Sequence, residues 1–158
     1  MIDKASTAKR KIMQKLVQDE QIQKLIDNKD IEYPEDLIYS NIFPYLKIDN
    51  TLQESKICLG MEVDFPKRIS SNIAFKEVQI SFLGICKNDF LKMDNGYSRL
   101  DLLMERICEL INWNSWLGFK FDLVSDYGKP YDDKFYLREL TFRTIGNNSM
   151  VNGNRINL

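Results

Sequence analysis

The side chains best suited to chemistry are three cysteines, Cys58, Cys86 and Cys108, and several sets of carboxylates. The cysteines are far apart and show no C-x-x-C spacing, so they form neither a four-ligand zinc site nor a redox pair. Their odd number and wide spacing fit free, buried thiols in a reducing compartment. Histidine is absent, which excludes Ser-His-Asp and Cys-His nucleophile systems and every histidine-containing zinc site. Glu62 and Asp64 share the outer face of one strand, and Glu77 is expected to come near them across a hairpin. Paired carboxylates can do acid–base work, but an exposed polar sheet face is the commoner origin of such a set. Asp122, Asp126, Asp132 and Asp133 flank one turn without EF-hand spacing or its closing glutamate, and read as a solvated acidic turn rather than a cation site. Gly60 and Gly84 stand alone within strands, where a bulge or close packing is expected, and no glycine-rich phosphate loop is present. No catalytic, metal-binding or cofactor-binding residue is expected, and the chain does not read as an enzyme.

The cations are equally open to a bland explanation. Lys9, Arg10, Lys11 and Lys15 belong to the first helix and are expected to be solvated, although they could touch phosphate. Lys67 and Arg68 sit in a hairpin turn, which reaches out further. Arg138 and Arg143 could face a partner or pair with glutamates such as Glu139. Trp113 and Trp116 read as packing residues beside a helix, since the aromatic-plus-basic strand signature of an RNA-recognition sheet is missing. Across the 158 residues, 22 lysines and arginines nearly balance 23 aspartates and glutamates, for a net charge of −1. That balance opposes a role in gripping nucleic acid. Apolar residues at 44% and charged residues at 28% describe an ordinary globular chain of one-domain length. No apolar run approaches the roughly 20 residues that span a bilayer, and the N-terminus lacks a secretory signal. A soluble protein made in a cytoplasm, with no membrane partner, is expected.

Periodicity places these residues on elements. Ile12, Met13, Leu16 and Val17 mark a first helix capped by Ser6 or Thr7, and the stripe slips near Asp19 before resuming at Ile22, Leu25 and Ile26. Residues 31–54 form an irregular but apolar loop broken by Pro34 and Pro44, expected to pack on the domain or on a neighbour. Alternation from Ile57 to Phe65 and from about Ile73 to Lys87 predicts a long antiparallel hairpin, with Gly84 a candidate bulge. Ser98 caps a second helix whose apolar face is Leu100, Leu103, Met104, Ile107, Cys108 and Ile111. Strands follow over 119–126 and about 134–145, joined by a turn at 127–133. The expected fold is α+β: a four-stranded antiparallel sheet with helices packed on one face, in the order α-β-β-α-β-β. A single domain over 1–145 ends in an extended, asparagine-rich arm over 146–158.

This order of elements resembles the tail terminator, or tail-to-head joining, proteins of long-tailed bacteriophages. The likeness runs from KIMQKLVQDEQIQKLIDN through KICLGMEVDF, FKEVQISFLGICKND and SRLDLLMERICELINW to FKFDLVSDYG and FYLRELTFRTI. It is one of pattern and topology, with no catalytic motif to match. The resemblance implies a structural virion protein at the junction of neck and tail. It would form a homo-oligomeric ring, usually a hexamer, that caps the tail tube and stops its polymerisation. Its implied neighbours are the tail tube protein, the head-closure or neck protein and, as a further candidate, the tail sheath; DNA would pass through the channel without sequence-specific binding. Lys67 and Arg68 in the turn, with Asn147, Asn148 and Arg155 in the arm, are the expected contacts with neighbouring copies or the tube. The alternatives are a head-closure or other neck connector, which the helices count against, and a nucleic-acid-binding module of ferredoxin-like type, which the net charge counts against. A small enzyme is a third alternative, opposed by the missing histidine and phosphate loop.

Overall fold

The computed structural model describes residues 4–46, 56–65 and 77–144. The first helical stretch is two helices, α1 (Ala5–Val17) and α2 (Glu20–Ile26). The slip in the apolar stripe has a local cause: the Asp19 carboxylate accepts hydrogen bonds from the backbone amides of Gln21 and Ile22, which caps α2 and ends the run of α1. The expected cap of α1 is corrected. Lys4 occupies the capping position with no side-chain bond, and Ser6 and Thr7 lie within the helix.

The chain then makes a one-turn 3-10 helix over Pro34–Leu37 and a two-residue strand, β1 (Ile42–Phe43). Pro34 opens the 3-10 turn rather than breaking structure, because a proline at the first helical position lacks only a donor that has no partner there. Next come β2 (Ile57–Asp64), β3 (Gln79–Lys87), the single turn α3 (Asn88–Leu91), α4 (Arg99–Ile111), β4 (Phe121–Pro130) and β5 (Phe135–Thr144). Ser98 caps α4 as expected, accepting from the Asp101 amide.

The strands lie in the order β1-β2-β3-β5-β4. The β2–β3 and β4–β5 hairpins are antiparallel and meet through an antiparallel β3–β5 pair. The fold is α+β with a five-stranded mixed sheet, which corrects the expected four-stranded antiparallel one: β1 pairs in parallel with Leu59 and Gly60. Two residues are too few to show a period, so this strand had no sequence signature. Its position is held instead by Asn41, whose side chain donates to the Ile57 carbonyl and whose own carbonyl accepts from the Leu59 amide.

Helices cover one face of the sheet. Ile12, Leu16, Ile22, Leu103 and Ile107 meet Met61, Phe82 and Phe142 in one continuous core, with the Phe82 and Phe142 rings edge-on at 6.0 Å. Each fully buried Leu or Ile there contributes about 2 kcal/mol through area removed from water. Gly84 marks close packing rather than a bulge: a Cβ built on it would lie 2.7 Å from Leu100 Cδ1 and 2.8 Å from Met104 Sδ. The bulge is in β4, between Leu123 and Ser125. That strand also runs on to Pro130, past its expected end at Asp126. Its second half is exposed on both sides, so alternation fades while backbone pairing continues to Tyr136.

Candidate functional site

All five residues expected to contact neighbours, Lys67, Arg68, Asn147, Asn148 and Arg155, lie outside the described residues. The carboxylate sets do not act as sets. Glu62 forms an ion pair with Lys9 of α1, and Glu77 pairs with Arg143. Asp126 pairs with Arg138, while Asp132 caps its turn by accepting from the amides of Lys134 and Phe135. Arg138 also reaches Asp101 of α4. Glu139, the partner considered for it, instead meets the Tyr127 hydroxyl, because residues 138 and 139 point to opposite faces of β5. Among the described residues no group of three or more ligating side chains is placed to hold a metal ion.

Cys86 and Cys108 carry free thiols. Burial pushes Cys86 up to about 12. Cys108, half-buried, is raised by burial and by the charges of Asp126 and Glu109. Both stay protonated at neutral pH and are poor nucleophiles.

Three regions remain. The first is the side of the sheet on which, among the described residues, no helix packs. Phe43, Cys58, Leu83, Ile85 and Leu137, with Phe135 against them, make a second apolar cluster that contains no helical residue. It continues at the β1 edge into a group of rings packed edge-on and tilted. Phe43 lies 5.8 Å from Tyr45 and 6.5 Å from Tyr39, and Tyr39, Tyr45 and Leu46 are exposed. Tyr39 holds φ at +65°, an outlier for a bulky residue, in a tight turn closed by its amide on the Ile42 carbonyl. The segment is apolar, and its described part, 31–46, packs on the domain through Leu37 and Ile42.

The second surface is a polar pocket of about 310 Å³ beyond the end of α2, reached by Asp27, Asn28, Lys29, Asn41, Lys56 and Phe90. Asn41 is buried at its base and fully engaged with Asn28 and the Ile57 carbonyl. On its far side Arg99 stacks on Phe90, 4.0 Å from the ring centroid, and donates to the carbonyls of Phe90 and Leu25. This arrangement anchors α2 and α3 to α4.

The third surface is a groove of about 460 Å³ between α4 and β4. Met104 and Cys108 floor it, and Glu105, Glu109 and Asp126 rim it. Just past its end Trp113 is 60% exposed with φ at +60°, its amide bound to the Phe121 carbonyl. Trp113 therefore does not pack in the core as expected. Trp116 does: it is half-buried, donates to the Leu110 carbonyl and lies under the Lys15 ammonium.

Among the described residues no helix is long and apolar enough to cross a membrane. No curated protein and no solved structure matches the sequence. One family model does match, over residues 15–144, which takes in every described element except the start of α1. The chain belongs to that family, YomW, whose name is associated with bacteriophages.

Proposed function

We propose that this chain is a structural protein of a phage virion, a tail terminator. Its copies form a ring, six in the family it resembles, that caps the tail tube, stops tube growth and offers a docking surface to the neck. The observation that favours this most is the β1 edge of the sheet, where Tyr39, Tyr45 and Leu46 are exposed beside the buried ring of Phe43. A patch of exposed aromatic and apolar side chains on a packed base suits protein–protein contact. The two antiparallel hairpins and the helices agree in part with the resemblance, the parallel strand β1 standing outside it, and membership of a phage-associated family agrees with a phage origin.

Electron microscopy of tails assembled with and without the protein tests this reading. With it, tubes should end at uniform length, carry a terminal ring and join heads; without it, they should overgrow and stay unjoined. A stable monomer absent from purified virions overturns the proposal. Lys67→Ala with Arg68→Ala tests these two expected contacts separately. Tails of normal length that still join heads would remove both residues from the contacts.

A further inference from the structure

We propose that copies of this chain associate head to tail through charge, the outer face of α1 in one copy seating against the acidic groove between α4 and β4 of the next. This rests on the ring reading above and names the surfaces that close the ring.

The two surfaces are complementary in sign. Helix α1 contains Lys9, Arg10, Lys11 and Lys15 and no acidic residue. Lys9 is taken up by Glu62 and Lys15 lies over Trp116, but Arg10 and Lys11 are exposed with no ion-pair partner among the described residues. The groove carries Glu105, Glu109 and Asp126 above an apolar floor; Glu109 meets Arg106 and Asp126 meets Arg138, but each arginine also serves a second carboxylate, Asp19 or Asp101, so the rim keeps an excess of negative charge. Glu105 is exposed and likewise has no ion pair among the described residues. Lys11 and Lys15 are four residues apart on one helix, as Glu105 and Glu109 are on the other, so both pairs repeat at about 6 Å along their axes. The exposed indole of Trp113, held by a strained backbone beside the groove, offers a face to an incoming guanidinium or ammonium.

Their positions also fit. Helix α1 stands over β2, near one end of the strand order, and the groove is bounded by β4 at the other end. A ring that closes by rotation needs two different patches on each copy. Either patch set on its own counterpart would oppose like charges, so the charges select contact between the two unlike patches, and their places at opposite ends of the strand order leave each copy able to bind one neighbour on either side.

The test is sedimentation velocity of the full-length protein over a concentration series at low and high salt. The wild type should associate at low salt and dissociate as salt is raised. Arg10→Glu with Lys11→Glu, and separately Glu105→Lys with Glu109→Lys, should each weaken association at least tenfold, with circular dichroism confirming the fold. An equimolar mixture of the two variants should regain association, because each supplies the surface that complements the other's reversal. Trp113→Ala should weaken association without altering its salt dependence in kind. A wild type that stops at monomer or dimer at low salt, variants that associate normally, or a mixture that stays monomeric overturns the interface. The two readings separate cleanly. If the charge variants still cap tubes as the wild type does, the interface is wrong and the terminator reading stands. If the wild type associates by charge but never ends a tail, the interface stands and the terminator reading falls.

Discussion

Asp19 and Arg106 are 87 positions apart in the chain, yet the guanidinium grips the carboxylate through Nη2 and Nε at 2.7 and 3.2 Å from Oδ2. The same carboxylate caps α2, so one side chain ends one helix, starts the next and ties both to α4. Burial alone would raise the Asp19 pKa. The Arg106 guanidinium and the amides of Ile22 and Gln21 outweigh it and hold the carboxyl below its ordinary value of 3.8.

Replacing Asp19 by Ala should therefore cost about 2 kcal/mol, from a lost cap and a lost charge-assisted bond. A group whose folded pKa is depressed contributes its full stability above the unfolded value. For Asp19 that contribution is present above pH 3.8 and lost as pH falls below it through the folded value. Urea midpoints at neutral pH and in this acid window check both the cost and the slope. Arg106→Ala should flatten the acid slope, because the remaining burial then opposes ionisation.

Gly84 predicts a second cost. A methyl group there meets Leu100 and Met104, both buried in the core. Gly84→Ala should destabilise by about 1 kcal/mol and Gly84→Val by more. Leu100→Val, which trims the contacting branch, should make the Ala substitution cheaper in a double-mutant cycle. Additive costs would mean that the methyl group does not meet Leu100.

Asn41 is the buried polar side chain of the described core. It keeps the shape of Leu in Asn41→Leu but loses its bonds to Asn28 and to the Ile57 carbonyl. The expected cost is about 2 kcal/mol. Asn28→Ala should cost much less in that background than in the wild type, measured by denaturant titration.

The thiols give a chemical check on burial. At neutral pH an aromatic disulfide reagent should react with the native protein slowly, first at half-buried Cys108, while Cys58 and Cys86 stay protected. All three cysteines of the chain should react at once in denaturant. Rapid labelling of Cys86 in the native state would contradict its place in the core.

What could be read from residues alone follows from the range of each interaction. Strands β2 and β3 and helix α4 show their own periods, because the pattern is written locally in the order of apolar and polar residues. The second apolar cluster was hidden. Leu83 and Ile85 fall in an unbroken apolar run, Phe82 to Cys86, which does not show that both faces are covered. Arg10, Lys11 and Lys15 of α1 were legible as exposed, whereas Lys9, expected to be solvated, is drawn onto Glu62. The groove opposite was not, because its carboxylates come from α4 and β4 and nothing in either segment announces the other. Arg138 illustrates the same limit: its partners, Asp101 and Asp126, are brought to it by tertiary packing.

The bulge between Leu123 and Ser125 and the proline that ends β4 lie along the outermost strand. A kinked border that finishes on a residue without an amide hydrogen is a poor template for another chain to zip onto. At the opposite border, β1 presents only two residues. Crowded copies of this protein are thus discouraged from fusing into an endless fibre, and any assembly they build can remain finite and countable.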